Sequence, residues 1–309
     1  MLTDRIKGPV VPLNICFTED DDVDFLAMRR YVNWLCEQKV PVLMLTHGSS
    51  EYCWLSDEDI WRLTAELAEE IAGRSLFITS TGWWPPKICI KFLRHAEESG
   101  ADIVKVQVSS WIVSNAGPAK GEVFRTYHDR IQDAAGIPLM LWCNSAGSGA
   151  IPVDVIAELA KHPQIVGVKN DEDAFGYYYD LIRATSEEDF AVISGGQMRN
   201  FVYGYQVGSP AYLCTVAPFR PDIALAFHHL LLDGNLGDAW QMVFRYEDKW
   251  LRAACDMNWL LSIKSAIHLH GLLPNNRPGG MGRPHSTDEL EGIRRCLESV
   301  FGPTEKVDL

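Results

Sequence analysis

Short apolar runs alternate with helical stretches along the first 235 residues. The runs are Val10–Cys16, Val40–Thr46, Leu76–Ser80, Ile103–Val108, Ile137–Trp142, Ile165–Lys169, Ala191–Ser194 and Ala211–Val216. They are rich in β-branched residues and apolar on both faces, as parallel strands covered on both sides must be. The stretches between them carry helix signals. Ser56 and Asp59 have capping-box spacing, Ile60, Leu63, Leu67 and Ile71 follow at helical intervals, and Gly73 stands where a helix ends. Lys87–Ser99 puts Ile88, Phe92 and His95-Ala96 on one face and stops at Gly100. Gly121–Ala135 stops at Gly136, and Pro152–Lys161 stops before Pro163. Eight such alternations predict an α/β fold, a closed (β/α)₈ TIM barrel over residues 1–235. An open doubly wound sheet is the alternative, weakened because no G-x-G-x-x-G follows the first strand.

From residue 236 to 309 the pattern is helical only. Asn235–Met257 and Asn258–Gly271 are two helices, Leu273–Pro284 is rich in Pro and Gly, and Ser286 with Glu289 opens a last helix to Phe301. This reads as a helical C-terminal extension packed on the barrel.

Composition narrows the function. The 309 residues are 47% hydrophobic and 22% charged, an ordinary globular balance, with a net charge of −13. That charge disfavours nucleic acid, which needs Lys and Arg gathered on one face, yet leaves room for a small anionic substrate. No apolar run is long enough to span a bilayer, and the opening residues lack the charged and apolar regions of a signal peptide. The eight cysteines form no C-x-x-C pair, and Cys16, Cys89, Cys143 and Cys214 lie in apolar segments. Reduced core thiols in a cytoplasmic protein are expected, with neither metal nor cofactor.

In a barrel of this kind chemistry gathers at the C-terminal strand ends. There Lys169 closes the run Ile165-Val166-Gly167-Val168, with Ile165, Gly167 and Lys169 on one face by period two. Apolar surroundings lower a lysine's pKa and leave more free amine, the form that makes an imine with a ketone. A lysine that snorkels to solvent is the plainer reading of position alone.

The segment Ile165-Val166-Gly167-Val168-Lys169-Asn170 resembles the region around the Schiff-base lysine of the dihydrodipicolinate synthase / N-acetylneuraminate lyase family, pyruvate-dependent class I aldolases. His47-Gly48-Ser49-Ser50-Glu51 is similar to that family's G-[ST]-[ST]-G-E loop, which holds the pyruvate carboxylate. Leu55-Ser56, Gly100-Ala101-Asp102, Ile137-Pro138, Ser194-Gly195 and Gly282-Arg283-Pro284 also fit, in order, over nearly the whole chain. The resemblance implies Lys169 as imine former and a homotetrameric lyase acting on a 2-oxo acid. It implies substrate contacts from Gly48, Ser49, Ser50, Trp111, Asn144, Gly195 and Leu213.

The departures are specific. His47 and Ser50 replace the loop's two glycines, unless Gly48 is the first glycine and one residue is deleted. Trp142 replaces the catalytic tyrosine after strand five, and an indole donates one hydrogen bond but is no base. Ser110 or Trp111 replaces the tyrosine after strand four, and Gly147 stands where the synthases carry a carboxylate-binding arginine. The lysine is kept and its usual proton relay is not. His47, with a pKa near neutral in water, is therefore a candidate acid or base, or simply a histidine hydrogen-bonded in its loop. Glu51 is either a catalytic carboxylate or one that holds loop amides. Trp54, Trp83, Trp84, Trp111 and Trp142 either pack loops onto the rim or line an aromatic pocket. Tyr177-Tyr178-Tyr179 reads as a packing cluster. His268 and His270, two apart on a helix, point different ways. A carbon–carbon lyase is the first reading, a sugar-acid dehydratase using the same imine the second. A barrel that binds 2-oxo acids without turning them over is the third.

Overall fold

The computed structural model describes all residues except 144–149, 173, 281, 305 and 308, and except the side chain of Ser110. Its centre is a closed barrel in which each strand pairs in parallel with the next and the eighth with the first. The strands are β1 (Gly8–Pro12), β2 (Val42–Met44), β3 (Leu76–Ser80), β4 (Ile103–Lys105), β5 (Leu139–Cys143), β6 (Ile165–Asn170), β7 (Ala191–Ser194) and β8 (Ala211–Leu213). This is the TIM barrel, and the open sheet is excluded. Several strands are shorter than their apolar runs, because residues at one end or both belong to the adjoining loops.

Val10, Val42, Met44, Ile78, Ile103, Met140 and Ile193 fill the barrel interior, and a larger cluster lies between the strands and the surrounding helices. The registers descend around the barrel, so side chains of alternate strands share a level. Met44, Lys105, Lys169 and Leu213 form one level, and Ser80 and Trp142 belong to the next level above.

One strand departs from period two. Leu139 pairs with Ile165 but Met140 pairs with Gly167, so β6 carries one extra residue there. Ile165 consequently packs in the outer cluster and Val166 in the inner one. The expected shared face of Ile165, Gly167 and Lys169 therefore holds only for the last two. Gly167 is required, since a Cβ there would lie 2.6 Å from the Ala191 carbonyl oxygen.

The helices that cover the barrel include α1 (Phe25–Glu37), α2 (Asp57–Ile71), α3 (Pro86–Ser99), α4 (Ser110–Asn115), α5 (Lys120–Asp129), α6 (Val153–Leu159), α7 (Phe175–Ala184), α8 (Met198–Val207) and α9 (Pro221–Leu232). The capping box of Ser56 and Asp59 is present, and Gly100 ends α3 at φ 86°. Helix α5 stops six residues before the expected Ala135. Gln164 accepts from the Asp133 amide (2.7 Å) and donates to the Ala135 and Ile137 carbonyls (2.7 and 2.8 Å), which gives this backbone partners outside a helix.

In the extension, Asn235–Met257 is α10 (Leu236–Met242), a π-helical segment (Val243–Glu247) and α11 (Asp248–Asp256). Helices α12 (Trp259–Leu269) and α13 (Thr287–Phe301) follow, the latter with its capping box formed by Ser286 and Glu289. Trp250, Ile263, Ile267, Ile293 and Leu297 join the cluster that coats the barrel. A buried ion pair, Lys264 Nζ to Glu51 Oε1 at 2.5 Å, ties α12 to the loop after β2.

Candidate active site

Lys169 lies at the top of β6, 5% exposed, in register with Trp142 on one side and Ile193 on the other. Both neighbours face the interior, so Lys169 does too. Its Nζ is held by both carboxylate oxygens of Asp171 at 2.5 Å. The Trp142 indole N–H donates to the same carboxylate at 2.6 Å. Trp142 is therefore a clamp on Asp171, suited to a group that can donate but not accept.

Backbone pairing fixes this carboxylate. The Asp171 amide donates to the Cys143 carbonyl at 2.9 Å, and the Gly195 amide to the Asn170 carbonyl at 2.6 Å. A Cβ at position 195 would lie 1.9 Å from Asp171 Oδ1. Gly195 thus serves the site by leaving room for Asp171.

Lys105, on the same barrel level as Lys169, is fully buried. Its Nζ sits 4.6 Å from the centroid of the Trp142 ring and has no hydrogen-bond partner among the described residues. Burial, reinforced by the charge of Lys169, holds its pKa well below the usual lysine range, against an opposing pull from Asp171. The indole face attracts a cation, but far less than the water it replaces.

His47 stacks on Trp83 (centroids 4.4 Å apart) and tilts against Trp142 (5.8 Å). Burial, with Lys105 and Lys169 adding, lowers its pKa to about 4, so the ring is neutral at pH 7. Of the five rim indoles, only Trp83 and Trp142 share this cluster. Trp84 is buried against Trp61 and Phe92 with its N–H on Asp57 at 2.6 Å, and Trp54 covers Gly279 and Gly280. Trp111 stands 73% exposed at the start of α4, where its carbonyl accepts from the Asn115 side chain at 2.7 Å.

The loop after β2 divides its residues between scaffold and site. Ser50 gives its single hydroxyl proton to the Leu13 carbonyl (2.6 Å), accepts from the Thr46 amide (2.9 Å) and donates its own amide to the Thr46 carbonyl (3.2 Å). Both of its protons are thus engaged by the protein itself, where the resemblance implied a contact with the substrate carboxylate. Ser49, 6% exposed, gives its amide to Thr46 Oγ1 at 3.2 Å, and Gly48 lies beside the Trp259 ring. Glu51 holds Lys264 and the Gly279 amide (2.8 Å), an amide of the Pro/Gly-rich stretch rather than of its own loop. Leu213 lies on the level of the two lysines. Asn144 and Gly147 lie outside the described residues. Tyr178 packs in the core and Tyr177 bonds the Ile151 carbonyl, while Tyr179 is 41% exposed, so the expected cluster is only partly one.

Asp171 and Lys105 were not singled out by the sequence. Lys105 carried a signal: a charge two residues after Ile103, on the inward face of an otherwise apolar strand. Asp171 carried none, because its role depends on a tertiary contact with Trp142. The group offers an amine held by a carboxylate and a second amine without a partner among the described residues, and just beyond β4, β8 and β1 in the chain the buried side-chain oxygens of Gln107, Thr215 and Asn14 also lack one there. Unpaired polar atoms of this kind suit a bound polar molecule or water.

The dihydrodipicolinate synthetase family model matches residues 5–296. A Pyrococcus abyssi protein named an uncharacterized DapA-like lyase is 25% identical over 96% of this chain and 99% of its own length. The 4-hydroxy-tetrahydrodipicolinate synthase of Methanothermobacter thermautotrophicus is 29% identical over 62% of this chain and 67% of its own. Among solved structures, dihydrodipicolinate synthase from Aquifex aeolicus superposes with a TM-score of 0.85 at 18% identity, covering 97% of this chain and 100% of that one. The Escherichia coli K12 prophage protein YagE, in complex with pyruvate, gives 0.83 at 19% identity, covering 95% and 98%.

Proposed function

The chain belongs to the dihydrodipicolinate synthetase family, and from that premise we propose that it is a Schiff-base-forming lyase acting on pyruvate or another 2-oxo acid through Lys169. The observation that carries this reading is the enclosed Lys169 amine on the barrel's inner face, gripped by Asp171. Asp171 can take the proton that Lys169 must lose before it attacks, and Trp142 keeps that carboxylate in place. The amine adds to the keto carbon, water leaves, and the resulting iminium draws electrons from the neighbouring carbon. Carbon–carbon cleavage or formation follows; loss of water from a sugar acid would use the same iminium. Ser49 is the loop residue left to meet the substrate carboxylate. YagE holds pyruvate in its own structure, which makes pyruvate the first compound to test. The reading includes a cytoplasmic homotetramer, supported by buried free thiols and by exposed apolar side chains at Trp83, Trp111 and Ile112.

Borohydride with pyruvate is expected to add one pyruvate-derived mass to the peptide containing Lys169, and Lys169→Ala to abolish it. No adduct with any 2-oxo acid, or an adduct elsewhere, would end the Schiff-base reading. Turnover of a panel of 2-oxo acids separates a working lyase from a barrel that only binds them.

A further inference from the structure

We propose that Lys105 is the proton carrier of this site: its Nζ accepts the proton the substrate gives up on carbon–carbon cleavage and returns it to the enamine carbon. The inference rests on the Schiff-base reading at Lys169 and goes beyond it by filling the place left empty by Trp142.

Five lysines and carboxylates are buried among the described residues: Glu51, Lys105, Lys169, Glu247 and Lys264. Glu51 and Lys264 pair with each other, Lys169 pairs with Asp171, and Glu247 accepts two backbone amides. Lys105 alone has no partner for its nitrogen among these residues. An amine enclosed in this way opposes folding, and a methionine of similar length would fill the space without that penalty. Its position therefore calls for a role, and the position is specific. Lys105 and Lys169 come from alternate strands at one level of the barrel, and the Trp142 ring covers the Lys105 nitrogen at 4.6 Å.

The charged and titratable groups around Lys105 are Lys169, Asp171 and His47. Burial and the Lys169 charge lower the Lys105 pKa, which favours the free amine, while Asp171 and the indole face moderate the charge once it takes a proton. Asp171 is engaged by Lys169 and Trp142, and His47 is a weak base in this setting. Lys105 is the amine of the group that no carboxylate engages.

The step balances. With the 2-oxo acid bound as iminium on Lys169, the proton of the substrate's 4-hydroxyl moves to Lys105 Nζ, and the O–H pair becomes the second bond of the departing carbonyl. The C3–C4 pair becomes the enamine double bond, and the iminium π pair returns to nitrogen. Lys105 then gives its proton to C3, the enamine pair forms the new C–H bond, and the nitrogen pair restores the iminium for hydrolysis.

Pyruvate alone reports this step, because the enamine exchanges its methyl protons with D₂O. Proton NMR of pyruvate with the wild-type protein is expected to show that exchange, and Lys169→Ala to lose it. Lys105→Met is expected to keep the borohydride adduct on Lys169 and a melting temperature no lower than wild type, while exchange falls about 10²- to 10⁴-fold. Lys105→Ala is expected to regain exchange on addition of ethylamine, which returns an amine without its link to the backbone. Exchange in Lys105→Met within a few-fold of wild type, or an adduct on Lys105 itself, overturns the proposal while Lys169 stands or falls by its own adduct. Absence of any adduct in the wild-type protein removes the Schiff-base reading first and the role of Lys105 with it.

Discussion

Asp171→Asn separates the two tasks of that side chain. The amide oxygen still accepts from the Trp142 indole at the position now 2.6 Å away, but the charge beside Lys169 is gone. A carboxylate that takes the lysine's proton is worth about 10²- to 10⁴-fold in rate. The variant is therefore expected to form the borohydride adduct more slowly by a factor in that range, yet to reach the same end point on Lys169. Mass spectrometry over a time course checks this, and a wild-type rate would make Asp171 a structural anchor only. At this scale the candidate nucleophile was legible, since a lysine at the end of an apolar strand is rare enough to notice. Its partner was not: Asp171 is near Lys169 in sequence, but what fixes it is Trp142 from the neighbouring strand and the empty space at Gly195.

Helix α8 begins on a carboxylate supplied from 48 or 49 residues away: Glu247 accepts from the Met198 amide at 2.6 Å and from the Arg199 amide at 3.1 Å. The π-helical segment Val243–Glu247 brings that side chain inside, where burial raises its pKa from 4.5 to about 7 despite the two amide bonds. Below the unfolded value both states are protonated and the contribution to stability is complete. As pH rises through 7 the unfolded chain has already ionised while the folded one resists, so stability is lost, on the order of 3 kcal/mol in all. Thermal unfolding from pH 5 to pH 8 is expected to show this loss in the wild-type protein and its absence in Glu247→Gln. Parallel curves for the two proteins would contradict it. The sequence read this region as one uninterrupted helix, because apolar spacing does not show where a turn takes an extra residue. It read α5 too long for a related reason: Gln164, on another element, supplies the bonds that let the chain leave the helix.

At the scale of the whole molecule, the exposed Trp83 and Ile112 edge a hollow of about 600 Å³ that the buried Trp84 and Val108 and the half-buried Tyr127 also line. Trp111 is 73% exposed and Ile112 51%. Association of copies would remove that surface from water, at roughly 25 cal/mol per Å² of apolar area. Light scattering at micromolar concentration is accordingly expected to give an oligomer, and Trp111→Glu to shift it toward smaller species with the barrel's circular dichroism unchanged. A monomeric wild-type mass would show that this surface serves something else.

The alternation of apolar runs and helices determined the barrel, because a strand buried on both faces must be apolar throughout and a covering helix must be apolar on one side. The capping boxes at Ser56 and Ser286 were equally local, since their bonds join residues three apart. The candidate nucleophile was also readable, as one charged residue at a strand end. Tertiary structure alone decided the rest. The bulge at Val166 moved Ile165 to the outer face; barrel closure set Lys105 level with Lys169; and the Leu13 carbonyl took the Ser50 hydroxyl proton. Each of these depends on which strand lies beside which and at what height, a relation between distant residues that no periodicity along the chain records.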